Sequence, residues 1–177
     1  EVVNQASGTV LEIGFGSGYN LPFYRDIKKL YALDPSLELY FYAKDRIASA
    51  SFPVEYLQNS AEKIPLEDHA IDTVVSTWSL CSIPDLPKAL KEIKRVLKPN
   101  GRFLFIEHGQ SPKRMNVVAQ KLFTQVARHF TGNCHLDRKM DDFITDSGLS
   151  IESMEMLPEE GRPLMFSYQG GAVHKAR

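Results

Sequence analysis

Glu12, Gly14, Gly16 and Gly18 sit in the run VLEIGFGSG (residues 10–18), an E-x-G-x-G-x-G spacing directly behind a short apolar stretch. Glycines there permit a tight turn and let the backbone approach a ligand without a Cβ in the way. A purely structural strand-to-helix turn uses the same residues, so the cluster needs a partner. Asp34 supplies one: it stands twenty positions beyond Gly14, the separation at which a carboxylate accepts ribose hydroxyls. A turn aspartate before Pro35 is the other use of that position. Together the two features point to a nucleoside. The dinucleotide fingerprint places its third glycine three positions after the second, where this sequence has Tyr19, which argues against NAD. The triphosphate loop G-x-x-x-x-G-K-[ST] does not occur. The expected ligand is a nucleoside without a phosphate chain.

His108 follows an apolar run beside Glu107. An unperturbed imidazole titrates near neutral pH, so His108 is the candidate general base, with a structural histidine as the alternative. Cys81 and Cys134 lack any CxxC-type spacing and read as reduced thiols of a cytoplasmic protein. With His108 and His135 they offer no close pair beyond the adjacent Cys134 and His135, a poor start for a tetrahedral chelate. No metal is expected.

The elements that must position these groups alternate between strand and helix patterns. Residues 9–13, 30–34, 54–57, 71–76 and 102–107 read as strands bounded by glycine, proline or polar turns. A short helix is expected after the glycine loop. A second runs behind Ser36, a plausible N-cap. In the third, residues 86–97, apolar side chains share one face and charged ones the other. Residues 116–130 and 137–147 look helical, and 150–157 and 164–174 read as a closing antiparallel pair. The fold class is therefore α/β, a doubly wound, mostly parallel, Rossmann-like sheet of seven strands with a C-terminal antiparallel hairpin. In such sheets ligands bind beyond the carboxyl ends of the strands, near the switch point.

The 177 residues suit one domain, and 43% hydrophobic with 24% charged residues exclude disordered and collagen-like classes. A net charge of -1 supplies no broad positive field for nucleic acid. No apolar run approaches the ~18 residues needed to span a bilayer. The chain begins at Glu1 and reaches its first strand quickly, so an N-terminal lid segment is expected to be missing.

Several stretches resemble the class I S-adenosylmethionine-dependent methyltransferases: VLEIGFGSG (10–18), LD (33–34), NSAEKIPL (59–66), IDTVVSTWSLCSI (71–83) and RVLKPNGRFLFIEH (95–108). GNCHLDR (132–138), the Cys81–Ser82 pair and the closing GGAVHK are similar to the branch of small thiol and lipid-amine methyltransferases, the methyltransferase-like 7 type. The resemblance implies S-adenosyl-L-methionine as cofactor, bound by the loop residues Glu12, Gly14, Gly16 and Gly18, with Gly14 and Gly16 beneath the methionine part and Asp34 on the ribose. It places Pro35 and Ser36 beside the adenine, and Ser60, Ala61 and Glu62 nearby, Ser60 standing where the wider family usually has an aspartate. Thr77, Trp78 and Ser79 then line the sulfonium, Trp78 as a wall or, alternatively, a core aromatic. Cys134 and His135 fall where the family carries its acceptor pocket. The helix at 116–130, flanked by Lys113, Arg114 and Arg128, is expected to pack over the sheet or site, with peripheral membrane contact as the alternative. The implied activity is methyl transfer to a small-molecule or lipid-like acceptor, a thiol or amine first. A quinone-type carbon methyltransferase and a non-catalytic nucleoside-binding module are the alternatives. No nucleic-acid partner is expected.

Overall fold

The computed structural model describes residues 2–130, 132–162 and 164–175. Seven strands form one sheet: β1 (Ser7–Ile13), β2 (Asp26–Leu33), β3 (Val54–Leu57), β4 (Ile71–Thr77), β5 (Leu97–Gly109), β6 (Ser150–Pro158) and β7 (Phe166–Val173), in the order β3-β2-β1-β4-β5-β7-β6. β7 runs antiparallel to both neighbours, and the other pairings are parallel. The chain leaves β1 toward β2 on one side and returns to β4 on the other, so a crevice opens where β1 and β4 end.

The period-two alternation of the strands splits the core into two layers. Leu11, Ile13, Val74, Phe103 and Phe105 point to one face, under α2 (Leu86–Val96) and α4 (Met140–Asp146). From α2 the stripe Leu86, Ala89, Leu90, Ile93 and Val96 is fully buried. Asp85 caps this helix by accepting the Lys88 amide. Val10, Leu30, Ala32, Val75 and Leu104 point the other way, against Ala43 of α1 (Leu37–Ala48) and Val3, Phe15 and Leu21. Ser36 caps α1 through the Leu39 amide, as expected.

Two expectations fail. No α-helix follows the glycine loop: residues 14–25 hold only a 3-10 turn at Leu21–Phe23. Gly14, Gly16 and Gly18 all have positive φ, and the 3-10 turn that begins at Leu21 leaves too few residues for an α-helix before β2 starts at Asp26. The second correction concerns α3 (Arg114–Ala127). Its apolar stripe does not pack over the sheet: Val118, Leu122 and Val126 are 63%, 66% and 65% exposed. Gln120 and Thr124 face inward instead. The Gln120 amide accepts from Ser111 and donates to the carbonyls of Gly109 and Leu164, satisfying buried backbone that an apolar side chain would leave unpaired. Among the described residues no helix is long and apolar enough to cross a membrane.

Candidate functional site

Two adjoining cavities open at the carboxyl ends of β1, β2 and β4, sharing Gly14, Gly16, Leu39 and Trp78. The first, about 590 Å³, is lined by Glu12, Asn20, Arg25 and Thr77, among others. The second, about 460 Å³, is lined by Asp34, Pro35, Asn59, Ser60, Ala61, Ser79 and Ile83, among others.

The glycine loop shapes the wall between them. Gly14 has φ +66°, and a Cβ there would overlap the Ser79 side chain; Gly16 has φ +57° and open space beside it. Only glycine keeps the loop this close to the end of β4. Gly18 also has positive φ, but a Cβ there would meet Leu21 and Phe15. It shapes the loop from outside the cavities.

Asp34 is 6% exposed. Its Oδ2 accepts the Gly16 amide at 2.9 Å and Oδ1 accepts the Ser36 amide at 2.8 Å. Tyr56 Oη donates to the carbonyls of Asp34 and Ser36, holding this corner from behind. Glu12 is buried at the end of β1 and accepts from Asn20 at 2.8 Å and from the Tyr24 hydroxyl at 2.8 Å. Burial raises its pKa to about 7, against the pull of those two hydrogen bonds. Asn20 also donates to Thr77 Oγ1, bridging the ends of β1 and β4.

Trp78 is no core aromatic. It is 47% exposed, has φ +56° and lines both cavities. A non-glycine residue in that backbone region is held by its surroundings, here by its amide on the Ile106 carbonyl at 2.8 Å. The turn that follows is organised by Glu107, fully buried at the end of β5. Its carboxylate accepts from Ser76 Oγ at 2.7 Å and from the Ser79 and Cys81 amides at 3.1 and 3.2 Å. Burial raises its pKa, and these bonds oppose the shift. Segment 132–138 closes the other side of the turn. Arg138 donates to the carbonyls of Leu80, Cys81 and Pro84, Asn133 to Ser82, and the His135 amide to Cys81.

Among the residues expected to contact a ligand, Glu12, Gly14, Gly16, Asp34, Pro35, Ser60, Ala61, Thr77, Trp78 and Ser79 line the joined cavities. Ser36 and Glu62 do not. Ser36 is spent on capping α1, and Glu62 accepts from Ser60 and from the Asp85 amide. Cys134 and His135 also lie off the cavity walls.

His108 brings no free ring nitrogen to the cavities. Nδ1 faces Cys81 Sγ at 3.6 Å and Cys134 Sγ at 3.4 Å, Nε2 lies 3.2 Å from Glu159 Oε1, and the ring packs on Trp78 with centroids 4.5 Å apart. Burial works against its charge, but the contact with Cys81 and the nearby Glu159 and Glu107 outweigh it and raise the pKa. Along the sequence these cysteines and histidines offer no close pair beyond the adjacent Cys134 and His135, and the fold groups three of them. Cys81, His108 and Cys134 converge with their ligand atoms within 4.8 Å of one another. Sequence reasoning also missed Asn20, Tyr56, Glu107 and Arg138, whose partners are remote in the chain.

Residues 11–105 match the family model of the methyltransferase domain. The rat thiol S-methyltransferase TMT1B is 31% identical over 157 residues, 85% of this chain and 63% of the relative. This chain thus spans under two thirds of that relative's length. The phosphatidylethanolamine N-methyltransferase of Cereibacter sphaeroides is 26% identical, over 88% of this chain and 77% of its own. The crystal structure of YcgJ from Bacillus subtilis superposes with a TM-score of 0.75 at 17% identity, covering 97% of this chain and 94% of that one.

Proposed function

The chain belongs to the class I S-adenosylmethionine-dependent methyltransferases, and from that premise we propose that it transfers the methyl group of S-adenosylmethionine to a small or lipid-like acceptor, a thiol or amine first. The carrying observation is the pair of joined cavities at the β1/β4 crevice, walled by positive-φ glycines and carrying the carboxylates of Glu12 and Asp34. Two buried carboxylates suit a ligand with cationic and hydroxyl groups and repel a phosphate chain.

The cofactor supplies a methyl group on a positive sulfonium, and the residues supply placement. Asp34 and the Gly16 backbone would hold the ribose, and Pro35, Ser60 and Ala61 the adenine. Glu12, with Asn20 and Thr77 around it, would hold the methionine part. Trp78 would offer a π face to the cationic sulfonium and shield one side of it from water. Glu107 and Arg138 are positioning residues, since they fix the 78–84 turn without lining the cavities. Methyl transfer from a sulfonium depends mainly on alignment and desolvation, so no protein base is required for a thiolate or a neutral amine.

The thiol and aminolipid classes come from the names of the two relatives. An apolar or amphipathic acceptor is further supported by the outward stripe of α3 and by Phe130, 86% exposed. Phe130 lies two residues before Gly132, which lines the second cavity. Two measurements test the reading. Calorimetry should show S-adenosylmethionine and S-adenosylhomocysteine binding far more tightly than NAD or ATP. Methyl release with a thiol, an aminolipid and a quinol should then favour one of the first two. Tight NAD binding without a response to S-adenosylhomocysteine would sink the assignment. Turnover with the quinol alone would move the acceptor to the carbon-methylating class.

A further inference from the structure

We propose that Cys81, His108 and Cys134 form a zinc site that clips the cavity wall together, with Glu159 as the carboxylate that orients the histidine. The three ligands come from separate segments: the 3-10 turn after β4, the end of β5, and the loop between α3 and α4. Zinc–sulfur and zinc–nitrogen bonds of about 2.3 and 2.0–2.1 Å at a tetrahedral angle require sulfur–nitrogen edges of about 3.5 Å. The two sulfur-to-Nδ1 distances here are 3.6 and 3.4 Å.

The surroundings match a metal site as well as the ligands do. Cys81 and Cys134 are 1% and 8% exposed, so both sulfurs are kept from bulk water. Metal-bound imidazoles characteristically donate their second N–H to a carboxylate, and His108 Nε2 lies 3.2 Å from Glu159 Oε1. Glu159 is itself held by the Ser167 hydroxyl at 3.0 Å and by Arg162 at 3.4 Å. Two thiolates and an imidazole favour zinc among the common divalent ions over magnesium or calcium, which select oxygen. On binding, the two thiols release two protons to solvent, their sulfurs and the Nδ1 lone pair bond to zinc, and the Nε2 proton stays toward Glu159. Three protein ligands leave a fourth position. The clip joins Cys81, at the centre of the turn that walls the second cavity, to the end of β5 and to segment 132–138. It stands whatever acceptor the chain serves.

The chain, purified under reducing conditions and stripped with a chelator, is titrated with zinc chloride against a chromophoric zinc indicator. One zinc per chain is expected, with binding lost in C81S, C134S and H108A. Glu159→Gln should weaken it about ten- to a hundredfold. Circular dichroism confirms that each variant is folded. A second measurement needs no variant: cobalt(II) bound to the wild-type chain should give the visible bands of a four-coordinate, thiolate-bound ion. S-adenosylhomocysteine binding, read in parallel, separates failure of this site from failure of the cofactor assignment. Zinc uptake no tighter in the wild type than in C134S would overturn the proposal. So would a fully reduced, folded chain that takes up no zinc.

Discussion

The Asp34 carboxylate receives the Gly16 amide at 2.9 Å, tying the end of β2 to the loop that leaves β1. The ribose candidate and the glycine turn are therefore one unit. Its second oxygen takes the Ser36 amide at 2.8 Å, so the side chain shapes the cavity as well as facing it. Asp34→Ala should lower affinity for S-adenosylhomocysteine about ten- to a hundredfold, the loss of charge-assisted bonds worth roughly 1.5–3 kcal/mol. It should also lower the melting temperature by several degrees, because two backbone amides lose their acceptor. Calorimetry and thermal denaturation read the two effects; normal affinity in folded protein refutes the first.

Gly14→Ala places a Cβ on the Ser79 side chain and forces a non-glycine residue to φ +66°. Cofactor affinity should fall at least tenfold. Ser79→Gly in the same chain removes the overlap but not the backbone strain, so the double variant should recover part of the loss. A double-mutant cycle on binding free energy measures that coupling; strictly additive effects would show that the two side chains do not meet.

Glu12 should make cofactor binding depend on pH. Burial raises its pKa to about 7, so the carboxyl is largely protonated at pH 6 and ionised at pH 8. Affinity for S-adenosylhomocysteine, whose amino group is cationic across that range, should rise over this interval. The sign for folding is opposite. A carboxyl whose folded pKa exceeds its unfolded value favours the folded state below about pH 4.5 relative to high pH, and that contribution fades as pH rises through 7. Glu12→Gln should flatten both profiles. An affinity that stays constant from pH 6 to 8 in the wild type would remove Glu12 from the binding surface.

Glu107→Gln replaces one carboxylate oxygen with an N–H₂, which then faces either the Ser79 amide bound at Oε1 or the Cys81 amide bound at Oε2. A buried donor facing donors costs about 1–3 kcal/mol. The variant should lose several degrees of thermal stability, and kcat should fall more than cofactor affinity, because the turn carrying Trp78 and Ser79 loses its anchor. An intact turnover number alongside the stability loss would confine Glu107 to a folding role.

Much of this protein is legible along the chain because the governing rules are local. The short apolar run ending in glycine marks β1, the two-faced amphipathic stretch marks α2, and the separation of Gly14 from Asp34 marks a nucleoside crevice before any fold is known. The outward turn of α3 was not legible. Val118, Leu122 and Val126 have the spacing of a buried stripe, and only the unpaired backbone at Gly109 and Leu164 decides that Gln120 faces inward instead. Nor do positions 81, 108 and 134 have any chelating spacing. They meet because parallel strands deliver their carboxyl ends to one edge of the sheet, where remote segments are packed into contact. Glu107 shows the same division: its position after an apolar run is sequence, but the amides it binds arrive from β4 only when the sheet assembles.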